Sequence, residues 1–60
     1  MTITLDTPIQ HLHQNEAFMQ KARHALAYHY GEQRRFRWHR QTFKFIYQGQ
    51  GRWFCYREEA

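Results

Sequence analysis

From Arg34 to Glu58 the chain reads RRFRWHRQTFKFIYQGQGRWFCYRE, and along most of it a cationic or polar residue alternates with an aromatic ring. A spacing of two sends successive side chains to opposite faces of an extended chain, so this stretch predicts half-buried strands rather than helix. Phe36 and Trp38 alternate with Arg35, Arg37 and His39. Phe43, Phe45 and Tyr47 alternate with Thr42, Lys44 and Ile46. Gln48-Gly49-Gln50-Gly51 then supplies glycines for a tight reversal, and Arg52 to Arg57 follows with Trp53, Phe54, Cys55 and Tyr56, apolar on both faces.

The turns suggest a register. Reversal about Gly49-Gln50 sets Phe45 opposite Phe54 and Phe43 opposite Tyr56. A first hairpin turning over His39 to Thr42 sets Trp38 opposite Phe43 and Phe36 opposite Phe45. One face then gathers Phe36, Trp38, Phe43, Phe45, Phe54 and Tyr56. The other carries Arg35, Arg37, His39, Thr42, Lys44, Ile46, Trp53, Cys55 and Arg57. A bulge of one residue in the second hairpin exchanges Phe54 and Tyr56 for Trp53 and Cys55.

The chain ahead of this stretch reads as the cover for one face. Residues 1–7 form an arm or a short edge strand, with Ile3 and Leu5 alternating with threonines. Asp6-Thr7-Pro8 is a helix start, and the helix is expected over residues 8–30 with Gly31 as its stop; a second start lies at Asn15-Glu16. Its apolar stripe is Leu12, Met19, Ala22 and Leu26, widened by Phe18, Ala25 and His29. Gln14, Gln20, Lys21 and Arg23 point away from it. The predicted fold is α+β, with one main N-terminal helix on a three-stranded antiparallel meander over residues 34–57 in a single small domain.

Sixty residues lie near the lower limit for a core without disulfide, metal or partner. After Leu12 the only leucine or isoleucine residues are Leu26 and Ile46, so five Phe, four Tyr and two Trp must supply most of the buried area. Aromatics are therefore core by default, and so thin a core leaves room for a homodimer.

Cys55 is the single cysteine, which forbids an internal disulfide and favours a reducing compartment. No run is apolar enough to span a membrane and the N-terminus lacks a signal-peptide pattern, so a soluble, cytoplasmic protein is expected. The five histidines show no zinc spacing, and neither a metal nor a cofactor is expected. There is no phosphate loop, paired-carboxylate arrangement or G-x-S-x-G motif, so an enzyme is not the expectation.

Charge carries the functional reading. Cations and anions balance over residues 1–30, whereas residues 31–57 hold six arginines and Lys44 against Glu32 alone; with Glu58 and Glu59 the total is +4. Such a concentration attracts polyanions, and arginine suits phosphate forks and base stacking. The expected function is a small basic module that binds nucleic acid, RNA or single strands, through Arg35, Arg37, His39, Lys44, Trp53 and Arg57 on the exposed sheet face. The alternative is an adaptor or inhibitor docking on an acidic protein surface through the same face, with or without dimerisation. A third reading is a ribonuclease-type toxin with His39 as general base. Set against all three, a charged outer face is what any soluble two-layer domain shows.

Overall fold

The computed structural model describes residues 2–28 and 33–58. The chain order is β1 (Thr2–Leu5), a 3-10 helix (Thr7–Gln14), α1 (Glu16–Tyr28), β2 (Arg34–Trp38), β3 (Gln41–Gly49) and β4 (Arg52–Glu58). β2, β3 and β4 form the expected antiparallel meander, and β1 adds in parallel to β4, so the mixed sheet runs β1-β4-β3-β2. Both helices lie on one face, giving a two-layer α+β fold.

The helical stretch is two segments where the sequence predicts one. Asp6 caps the first, its Oδ1 accepting from the Thr7 N–H at 2.9 Å, and Pro8 sits in the first turn, where its missing N–H has no helical partner to lose. Ile9 leaves the helical path at φ −120° and is buried. His11-Leu12-His13-Gln14 is a weak helix former, and the segment ends at Asn15, which is extended and donates its N–H to the Leu12 carbonyl at 3.0 Å. Asn15 then caps α1. Its Oδ1 accepts from the Phe18 N–H at 3.1 Å, a cap contributing about 1 kcal/mol. Gly31, the expected helix stop, and His29, expected to widen the apolar stripe, lie outside the described residues.

The stripe on α1 falls where its spacing puts it. Phe18, Met19, Ala22 and Leu26 are buried, Ala25 and Leu12 pack against the core margin, and Gln14, Gln20, Lys21 and Arg23 are exposed. Phe18 is the hub. Its ring lies 5.6 Å from Phe36, 5.8 Å from Trp38 and 5.1 Å from Phe43, tilted or edge-on to each, the geometry that ring quadrupoles favour.

Both hairpin registers differ from expectation, with unequal consequences. In the first, the turn is His39-Arg40, so Trp38 pairs with Gln41 and Phe36 with Phe43. This is a shift of two residues, which keeps Phe36, Trp38, Phe43 and Phe45 on the inner face. In the second, the turn is Gln50-Gly51, with φ of 57° and 72°, and Gly49 pairs with Arg52. A register irregularity between Tyr47 and Gly49 then sets Tyr47 opposite Trp53, Phe45 opposite Cys55 and Ile46 opposite Phe54. β4 is therefore turned over. Trp53 and Cys55 face inward, at 1% and 0% exposure, and Phe54 and Tyr56 face outward. Gly49 makes the irregularity possible through its φ of 88°; a Cβ there would meet nothing within 4 Å, so the requirement is conformational.

β1 supports this orientation of β4. Asp6 N–H donates to the Cys55 carbonyl and Thr2 N–H to the Gly51 carbonyl, each at 2.8 Å. Ile3 and Leu5 thereby lie beside Trp53 and Cys55 on the inner face. Among the described residues no helix is long and apolar enough to cross a membrane.

Candidate functional site

Pairing across the sheet orders the outer face in rows. One row is Arg37, Thr42 and Glu58; the next is Arg35, Lys44 and Tyr56; a third is Ile46, Phe54 and Thr4. Arg52 follows beyond Phe54 on β4, beside Thr2. Four cations thus share this face with Glu58, and two half-exposed rings occupy its middle strand positions.

Those rings, Phe54 and Tyr56, have centroids 6.2 Å apart and planes inclined by 28°. Lys44 lies directly opposite Tyr56, and Ile46 opposite Phe54. Arg35 reaches from β2 across β3 to Glu58 on β4. Its Nε lies 3.0 Å from Glu58 Oε2, and its NH2 group donates to Oε1 at 3.1 Å, a two-point fork. Arg37, Lys44 and Arg52 are the cations of this face that the fork does not engage.

Of the residues expected to form the site, Arg35, Arg37 and Lys44 are brought together here. Trp53 is not: it is a core residue, its ring 6.2 Å from Phe45 and 4.7 Å from Tyr47. The reason is the one-residue displacement in the second hairpin, which exchanges every side chain of β4 between faces. Arg57 is turned to the inner face by the same displacement, opposite Phe43, where it borders a small cleft with Asp6, Pro8 and Ile9. His39 is exposed at the tip of the first hairpin with φ 48°, and its ring lies 4.4 Å from Trp38, away from the rows of the outer face.

The reading from sequence leaves out Phe54, Tyr56 and Arg52. Their signal was present in β4, whose four consecutive apolar residues fit either face, and in the bulge that Gly49 permits.

Cys55 is buried, and desolvation pushes its thiol up to about 12, the environment of a structural cysteine rather than a nucleophile. Among the described residues no three His, Cys, Asp or Glu side chains converge in a way that would hold a metal. No protein-family model, curated protein or solved structure matches the chain.

Proposed function

We propose that the protein binds single-stranded nucleic acid, RNA in the first place, on the outer face of the sheet. The observation that carries this reading is the pair Phe54 and Tyr56, two half-exposed rings set among Arg37, Lys44 and Arg52 on a face that no described helix covers. Burying rings is this small chain's main source of stability, so two rings left on the outer layer are a feature to be explained.

Their spacing selects the ligand. At 6.2 Å the ring centres are farther apart than the ~3.4 Å rise between stacked bases of one strand in a duplex, so successive bases can each take one ring only when the strand is drawn out. An extended single strand meets that condition and duplex does not. Bases stacking on the rings, with phosphates against Arg37, Lys44 and Arg52, is the arrangement by which open sheets bind single strands without strong sequence preference.

Anisotropy of a labelled oligouridine tests it. With three phosphate contacts on a single strand, affinity falls about twentyfold between 50 and 200 mM salt. Phe54→Leu and Tyr56→Leu each weaken binding by about tenfold or more, while duplex RNA of equal length binds more weakly than the single strand. Binding that ignores salt, or that survives loss of both rings, overturns the reading.

A further inference from the structure

β2 is an edge of the sheet, and beside it lies an apolar groove of about 530 Å³ between the strand and α1. Phe36 and Trp38 form its floor, and Ala17 and Ala25 on the helix keep its far wall low. Lys21 and His24 stand on the helical rim. No acidic side chain lines it among the described residues.

Among the described residues, the backbone beside the groove is unpaired in a defined way. With a two-residue turn at His39-Arg40, Trp38 and Gln41 are a hydrogen-bonded pair, and the pattern alternates back along the strand. Arg34, Phe36 and Trp38 therefore bond to β3. The N–H and C=O groups of Arg35 and Arg37 point out to the open edge, ready to receive another strand.

We propose that this edge takes an extended peptide of alternating acidic and apolar residues, added as a further strand of the sheet. Backbone bonds run to Arg35 and Arg37. Every second side chain of the peptide enters the groove against Phe36 and Trp38, and those between lie on the outer face beside the side chains of Arg35 and Arg37. Charge decides who the occupant is. A second copy pairing antiparallel through the same edge would set the arginines of one β2 against those of the other, which is destabilising. Charges on an edge strand also guard against indiscriminate pairing. Here the cations that repel a second copy attract a carboxylate-bearing strand. The site is independent of Phe54 and Tyr56, sharing with the nucleic-acid face only Arg35 and Arg37.

The test uses the whole protein with the hexapeptide acetyl-Glu-Val-Glu-Leu-Glu-Val-amide and its lysine-for-glutamate counterpart, followed by amide hydrogen exchange and chemical shift. The acidic peptide is expected to bind at least tenfold more tightly than the basic one and to slow exchange at the Arg35 and Arg37 amides. Arg37→Pro removes an outward donor and weakens binding at least tenfold. Ala17→Glu does the same without touching the strand; this exposed position lies in the first turn of α1, where a carboxylate suits the helix, so folding is retained. Equal binding of both peptides, or unchanged exchange at the two amides, overturns the proposal. So does protection of those amides by self-association without peptide, or by oligouridine in its place.

Discussion

Arg35 and Glu58 join the first and last strands of the meander across the strand between them, with Nε to Oε2 at 3.0 Å and the second guanidinium nitrogen to Oε1 at 3.1 Å. The arginine side chain is 62% exposed and the glutamate 32%, so solvent screens the pair and it contributes less than about 1 kcal/mol to stability. Its larger effect is on what Arg35 is free to hold. Glu58→Gln leaves the denaturation midpoint nearly unchanged and tightens oligouridine binding about threefold to tenfold, as one more cation becomes available to phosphate. Adding Arg35→Ala to this variant removes the gain. A Glu58→Gln protein with weaker or unchanged affinity would show that Arg35 does not meet the ligand.

The first hairpin turns on two residues with side chains in the left-handed region, His39 at φ 48° and Arg40 at φ 66°. Such turns match the twist of the strands but favour glycine at the second position, and a residue with a Cβ gives up roughly 1 kcal/mol there. Arg40→Gly is expected to stabilise the protein by about 0.5–1 kcal/mol, a rise in melting temperature of several degrees for a domain of this size. Thermal unfolding followed by far-ultraviolet dichroism reads it directly; a fall in melting temperature contradicts the turn geometry.

Cys55 is fully buried, and its thiol is pushed from 9.0 to about 12 by desolvation. In the unfolded chain the thiol ionises near its ordinary value, whereas in the folded protein it keeps its proton. Above pH 9 the unfolded state therefore binds fewer protons, and the contribution of this group to stability, complete below pH 9, is lost as pH rises towards 12. Urea titrations at rising alkaline pH are expected to show a shallower loss of stability in Cys55→Ala than in the parent. At pH 8 iodoacetamide alkylates Cys55 only when the core opens, so the logarithm of the labelling rate rises linearly with added urea. Rapid labelling of the native protein would place the thiol at the surface.

Much of the layer structure is legible along the chain because it depends on local periodicity. The period of two in residues 34–47 sends Phe36, Trp38, Phe43 and Phe45 to one face under any even shift of register, which is why a misplaced first turn changes the partners of these rings and takes His39 to the hairpin tip but moves none of the four to the other face. The spacing of Phe18, Met19, Ala22 and Leu26 likewise commits one side of α1 to the core. The excess of cations after residue 31 needs no structure to be seen. Local chemistry also marks Asp6 and Asn15 as helix starts, although the weak helix formers between them split the predicted helix in two.

What awaited the tertiary structure was the orientation of β4. Trp53, Phe54, Cys55 and Tyr56 are apolar in succession, so no alternation tells which pair faces inward, and a displacement of one residue reverses the answer. The choice is made by groups far away in the chain: β1 pairing alongside β4, with Ile3 and Leu5 next to Trp53 and Cys55, and Gly49 admitting the irregularity that brings Cys55 opposite Phe45. Hydrophobic pattern can commit a strand to a layer only when its two sides differ. Where both sides are greasy, packing against neighbours decides, and here it buried the expected binding ring Trp53 and left Phe54 and Tyr56 among the cations.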